Sequence, residues 1–325
     1  MTKLPKVIKQ IREHKLLEID KESQKNISYS QMQVYDQCPH RWKLTYKDKI
    51  KVYKPSIHTV FGKAFHETVQ DWLTTLYEVS GVAADAMDLE DKLYEGLIFH
   101  YSDEKKNNDG EHFVTAKDLQ EFYEDGCTIL KYIKKNRAAY FGKQGWHLVG
   151  VEVPLMIQPI EDHPGVLFKG FIDLVLYHEP SDEYHIFDIK TSTRGWGDKD
   201  KKDEMKQSQL ILYKNFFNKQ FGVNPEKIHI KFFIVKRKLW EQSDFVQKRV
   251  QEFIPASGPI KTKKAVGKME EFIKEYKKVI IMFDNDEAGI KAMEKYKELY
   301  PEIEYTALPM SKDPADSIKD YGAKE

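Results

Sequence analysis

The sequence lacks most of the features that would assign it at once to a class. It has two cysteines, Cys38 and Cys127, in 325 residues. Two thiols cannot build a disulfide framework, a four-cysteine zinc site or a four-cysteine iron–sulfur site. They read as reduced, partly buried thiols, since a free cysteine usually packs as a small hydrophobe. No apolar run approaches the roughly 18 residues of a membrane span, and the longest compact one covers 279–283. The N-terminal segment MTKLPKVIKQIREHK has no apolar signal core, so a cytoplasmic protein is expected. Internal repeats and low-complexity segments are absent. Net charge is absent too: 52 Lys and Arg stand against 52 Asp and Glu. The sum favours neither nucleic acid, nor membrane, nor an acidic ligand.

What is present is chain enough for one large domain or two modest ones. Aromatics are 13% of the residues, too many for a disordered chain. Charged residues are 32% and segregated. Residues 78–125 hold 14 acidic and 4 basic side chains, while 227–264 hold 10 basic and 3 acidic. The first 25 residues carry seven basic and four acidic. A basic patch binds phosphates whatever the net charge, although a run of one sign is also an ordinary solvated face.

The first third reads as helical: a polar helix or arm over 1–26, then helices over 27–46, 60–79, 85–103 and 115–140. Ser30 is a plausible N-cap of the second. The pattern then becomes β-branched. Strands are expected over 147–157, 167–177 and 184–190. The last two form a hairpin around HEPSDE, with Pro180, Ser181 and Asp182 as breakers. A helix over 203–220, a strand over 228–236 and a helix over 261–276 follow. The tail reads as a β-α-β unit: strand 279–283, helix 287–300, strand 305–308.

The hairpin carries the chemistry. Side chains alternate along a strand, so Asp188 and Lys190 share a face. Asp173 on the partner strand joins them if the register pairs it near Asp188. Two carboxylates beside an ammonium are costly in a core unless paired or coordinated. They suit a hard cation such as Mg²⁺, which lowers the pKa of bound water and offsets phosphoryl charge. Lys190 can hold the attacking water or the phosphate. Three further features lie in order. His66, in 62–66 (GKAFH) on a helix, is either a metal ligand or a packed histidine. Glu152 is either a further carboxylate at the site or a strand-edge charge. Gln209 and Tyr213, four apart, share a helical face. They either bond a nucleic-acid phosphate or serve packing.

In this order, His66, Asp173, Asp188-Ile-Lys190 and Gln209-x-x-x-Tyr213 resemble the PD-(D/E)XK nucleases of the RecB type, a group that includes CRISPR-associated exonucleases and phage nucleases. The segment SYSQMQVYDQCPHRWKLTY is similar to that group's N-terminal segment. The resemblance covers about 27–276. It implies an α/β fold with a restriction-endonuclease-like core, a mixed sheet flanked by helices, plus a helical N-terminal portion. It implies that His66, Asp173, Asp188 and the Ile189 carbonyl ligate Mg²⁺ or Mn²⁺. Lys190 is then the catalytic lysine, and Gln209 and Tyr213 position DNA. Many RecB-type exonucleases add a four-cysteine iron–sulfur cluster. Three of those cysteines have no counterpart here, so no cluster is expected.

The tail, 278–289 (KVIIMFDNDEAG) with 312–316 (KDPAD), resembles the second half of a Toprim domain. That likeness implies a weak metal site at Asp284 and Asp286. The earlier strand with a catalytic glutamate is missing, so the tail reads as a remnant, a fusion or an appendage. Three domains are thus expected: an arm over 1–26, a nuclease domain over 27–276 and the partial Toprim-like segment over 277–325.

The resulting expectation is a Mg²⁺-dependent deoxyribonuclease, an exonuclease of recombination, repair or replication. Its partners would be DNA and a helicase or single-strand-binding protein, with no membrane. It would act in the cytoplasm, the host's if phage-encoded. The basic stretch, with Lys236, Arg237 and Lys238, would line the DNA path. The alternatives are a non-catalytic DNA-binding recombination module and a primase-associated Toprim-type protein.

Overall fold

The β-branched runs of the middle of the chain fold into strands, and the helical periodicities before them into helices, in a computed structural model. It describes residues 4–16, 25–50, 54–159, 165–243, 245–273, 280–283, 287–299 and 304–307. Two units are distinguished, Met1–Glu270 and Glu271–Glu325.

The first unit begins with α1 (Lys6–Glu13), β1 (Lys25–Ile27) and α2 (Tyr29–Gln37). Then come α3 (Ile57–Thr74), α4 (Leu89–Lys106) and α5 (Ala116–Lys135). The sheet strands β2 (Trp146–Ile157), β3 (Val166–His178) and β4 (Glu183–Ser192) are followed by α6 (Glu204–Phe221), β5 (Ile228–Lys236), β6 (Val250–Phe253) and α7 (Pro259–Ile273). Helix α1 is more than a polar arm, because Ile8 and Ile11 are buried and Arg12 reaches Glu78 and the Leu148 carbonyl. The cap of α2 is Ser28, not Ser30. Ser28 is extended and its hydroxyl accepts from the Gln31 N–H, while Ser30 already lies in the first turn. Cys127 is buried but Cys38 is exposed.

The sheet runs β1-β3-β4-β5-β6, with β2 on the other edge of β3. Strands β3 and β4 are an antiparallel hairpin, β4 and β5 are parallel, and β5 and β6 are antiparallel. The sheet is therefore mixed. Helices α3, α4 and α5 cover one face. Phe61, Phe65, Val69 and Trp72 of α3 join Leu93, Ile129 and Leu130 over Leu174, Leu176, Phe187 and Phe233. Helix α6 packs on the sheet through Phe216 against Phe168 and Phe217 against Tyr184. It ends at Gly222, whose φ of 70° is the left-handed conformation that glycine adopts without penalty.

In the second unit, β7 (Ile280–Phe283) and β8 (Glu304–Ala307) pair in parallel, with α8 (Glu287–Leu299) between them in sequence. This is the β-α-β arrangement expected of the tail. Among the described residues, no helix is long and apolar enough to cross a membrane.

Candidate metal centre

The hairpin does not stay paired along its length. Strands β3 and β4 pair from His178↔Glu183 up to Leu174↔Phe187. Beyond that point β4 continues with β5, up to Ser192↔Lys236. Strand β3 continues with β2, up to Phe168↔Ile157. Phe168 also pairs with Ile27, so β1 lies on the edge of β3 that β4 has left. The sheet forks, and one more step of the lost register would set Asp173 opposite Asp188.

At the fork a side chain replaces the missing ladder. The Asp173 Oδ2 accepts the Ile189 N–H at 2.7 Å, which satisfies a backbone donor that β3 no longer serves. His66, on α3, brings its Nδ1 to 3.7 Å from that same oxygen. Asp188 is 1% exposed, and Lys190, two residues on along the same face, sets its Nζ 2.8 Å from Asp188 Oδ2. That contact is an ion pair without a directed hydrogen bond, for Asp188 Oδ2 is buried and forms none. His66, Asp173, Asp188, Ile189 and Lys190 thus lie together at the fork.

Burial dominates the electrostatics. It pushes Asp173 up to about 6, against the pull of Lys190 and the Ile189 N–H. It pushes Asp188 up to about 6 as well, with the Asp173 charge adding to the rise and Lys190 opposing it. Burial alone would lower Lys190, but Asp188 and Asp173 overturn that and leave it above its ordinary value. Burial also lowers His66, which keeps the imidazole neutral. The cluster therefore combines a fixed ammonium, two carboxylates with a high cost of ionisation and a neutral imidazole.

These donors fit a divalent cation. Two carboxylates and a carbonyl are hard oxygen ligands, and a neutral imidazole is a usual nitrogen ligand. A buried carboxylate oxygen without a hydrogen bond is rare in a satisfied core. Here Asp188 Oδ2 is such an atom.

Two neighbours escaped the sequence reading. Gln70 is buried on α3, one turn after His66. Its Nε2 donates to Glu152 Oε1 at 2.6 Å and to the Asp173 carbonyl at 3.1 Å. The i,i+4 spacing from His66 was the available signal. Tyr29, also buried, donates its hydroxyl to the Met205 carbonyl at 2.7 Å. Burial and Asp188 raise its pKa. It lies in the segment SYSQMQVYDQCPHRWKLTY, but nothing in that pattern sets it apart from the other tyrosines. Glu152 is exposed at the rim, held at φ 47° in the left-handed region, where a non-glycine residue costs about 1–3 kcal/mol. With Lys63, His66, Glu67 and Gln70 it lines a groove of about 510 Å³.

On α6, Gln209 lies 3.5 Å from the Tyr213 hydroxyl. Tyr213 is buried, and after burial itself the charges of Asp188 and Asp173 contribute to its raised pKa. Gly170 makes room for it: a Cβ there would fall 3.2 Å from the Tyr213 ring and 3.0 Å from Phe168. The basic trio at the end of β5 is placed differently. Lys236 is half-buried. Arg237 is buried, bonded to Asp125 at 2.6 Å and Glu121 at 3.3 Å, with its guanidinium 3.6 Å over Phe122. Lys238 bonds Asp125 and Glu121, each at 3.0 Å. The acidic segment and the basic segment meet here. Asp284 and Asp286 lie outside the described residues.

Two comparisons with known proteins bear on the chain. The family model of the PD-(D/E)XK nuclease superfamily matches residues 26–295. Among curated proteins no relative matches.

Proposed function

The chain belongs to the PD-(D/E)XK nuclease superfamily, and from that premise we propose a Mg²⁺-dependent deoxyribonuclease, an exonuclease of recombination, repair or replication. Members of the superfamily are typically hydrolases that use divalent metals. The observation that carries the proposal is the buried Asp188 oxygen at the fork, without a directed hydrogen bond, beside Asp173 and Lys190.

His66, Asp173, Asp188 and the Ile189 carbonyl hold Mg²⁺ or Mn²⁺. The cation, when bound, supplies Lewis acidity at the scissile phosphate. Lys190 keeps its proton and donates to the attacking water or to a non-bridging phosphate oxygen. Gln70 fixes the Asp173 backbone and the Glu152 carboxylate from one helical turn. Gln209 and Tyr213 donate to the DNA backbone, which positions a strand without reading sequence. Lys236 is the phosphate contact of the basic trio, while Arg237 and Lys238 brace the wall beside it. The nuclease domain spans 27–276, in the manner of the RecB-type enzymes. The segment over 277–325, with Asp284 and Asp286, is a Toprim-like appendage. The enzyme works in the cytoplasm, on ends delivered by a helicase or single-strand-binding protein.

The test is end-labelled linear DNA and circular DNA, with Mg²⁺ or Mn²⁺, an EDTA control and Lys190→Ala. Linear DNA should be degraded and circular DNA spared, and the variant and the chelated enzyme should be silent. Equal cleavage by wild type and Lys190→Ala removes this site. Binding without cleavage in both metals selects the non-catalytic DNA-binding module.

A further inference from the structure

We propose that Glu183, His185 and His229 form a second metal site, of the transition-metal type, at the end of the sheet away from the fork. His185 on β4 and His229 on β5 are direct partners in the parallel register. Glu183 is two residues before His185, so all three side chains leave the same face of the sheet. Asp188 is three residues beyond His185 and leaves the other face, about 10 Å along the strand. The two sites are separate.

The geometry is that of a ligand set. One atom from each residue lies within 4.8 Å of the others. The two imidazoles stack, with centroids 4.9 Å apart and planes at 24°. Their Nε2 atoms flank one carboxylate: His229 stands 3.1 Å from Glu183 Oε1, and His185 stands 3.6 Å from Oε2. The second distance is too long for a hydrogen bond. His185 Nε2 is shielded from solvent and has no hydrogen-bond partner. An ion-pair cluster would close that gap, whereas a ligand set leaves it for a cation.

A second layer orients the carboxylate. Ser181 Oγ donates to Glu183 Oε2 at 2.7 Å, and His178 Nδ1 lies 2.7 Å from that hydroxyl. Trp146 packs against both His178 and His185, with centroids 4.5 and 4.7 Å away. Such outer partners are characteristic of metal-bound histidine and carboxylate. The nearby cation Lys231 is occupied by Glu252 at 2.7 Å. Two imidazoles and one carboxylate select Zn²⁺, Co²⁺ or Ni²⁺ over Mg²⁺, which takes oxygen ligands. Three protein ligands leave a position for water. The ion ties the starts of β4 and β5, and so fastens the strand that carries Asp188 and Lys190.

The experiment uses the full chain, stripped with EDTA and desalted, in saturating Mg²⁺. Zn²⁺ alone is titrated by calorimetry, and Tm is followed. Wild type and Asp188→Asn should each bind one equivalent and gain about 5 °C at a hundredfold excess over Kd. His229→Ala and Glu183→Gln should lose at least tenfold in affinity and most of the Tm gain. Their metal-free Tm and Mg²⁺-dependent cleavage should match wild type. His229 is about half exposed, so its replacement leaves the core intact. Co²⁺ should give visible absorption bands that His229→Ala lacks. Unchanged Zn²⁺ binding in His229→Ala, or its loss in Asp188→Asn, overturns the proposal.

Discussion

The carboxylates of the fork and those of α5 meet their cations in opposite ways. Asp125 has both oxygens taken, by Arg237 and Lys238, and Glu121 shares the same two cations. Hydrogen bonds from Lys238, and then from Arg237, hold Glu121 below the usual glutamate range. Asp188 has one cation, Lys190, without directed geometry, and a second carboxylate as neighbour. Its pKa rises where that of Glu121 falls. One cluster spends its charges on architecture. The other retains buried negative charge that only a further cation can offset. The difference separates a wall from a reaction centre, although both are built from acidic residues and lysine.

Breaking each side tests the contrast. The largest effect is expected at the fork: in saturating Mg²⁺, which offsets the charge left at buried Asp188, Lys190→Ala should slow cleavage by about a thousandfold per folded molecule. Arg237→Ala should do the reverse in kind. It removes a buried guanidinium and leaves half-buried Asp125 with Lys238 alone, which costs about 2–3 kcal/mol in urea unfolding. Residual activity per folded molecule should persist.

A third change sharpens the contrast through pH. The metal-free fold carries Asp173 at about 6, raised from the ordinary 3.8, so ionising it opposes folding. Asp173→Asn keeps the oxygen that accepts from Ile189 and removes the charge. At pH 8 the metal-free variant should be more stable than wild type by about 2–3 kcal/mol. The native state binds the proton more tightly than the unfolded chain. The advantage is therefore full above about pH 6, shrinks as pH falls toward 4 and vanishes below. Urea midpoints of both proteins across that range measure it. An advantage that persists at pH 3 would mean that packing, not charge, is responsible.

The smallest expected effect concerns DNA affinity. Lys236→Ala should reduce the slope of log affinity against log salt by about 1. Lys238→Ala, whose charge is already matched by Asp125 and Glu121, should leave it unchanged. Filter binding over a salt series separates the two. Equal slopes for both variants would return Lys238 to the DNA path.

Much of the fold was legible because its signals are local. The β-branched run over 228–236 is strand β5 to the residue, and HEPSDE is the turn of the β3–β4 hairpin. The Asp188–Lys190 pair followed from strand alternation alone. The start of α2 was misplaced by two residues, since both Ser28 and Ser30 can cap and only the backbone at Ser28 is extended. The fork was not legible. Nothing in β3 or β4 announces that pairing stops at Leu174↔Phe187, because strand divergence follows from what each strand pairs with on its outer side. Glu152 was a candidate, but its left-handed backbone and its bond to Gln70 were not visible. Nor was the meeting of Glu183 and His185 with His229, which requires the β4–β5 register.

The sequence alone determined the residue types: an ordered set of acids, one lysine, one histidine, and segments of opposite charge. Those choices rest on side-chain chemistry and on periods of 2.0 and 3.6 residues, both of which are local. Only tertiary structure decided which charges are spent on each other. Asp125 and Arg237, 112 positions apart, are matched, whereas Asp173 and Asp188, 15 apart, share the single cation Lys190. Burial and the path of the strands assign a partner or withhold one, and neither is a property of any stretch of the chain by itself.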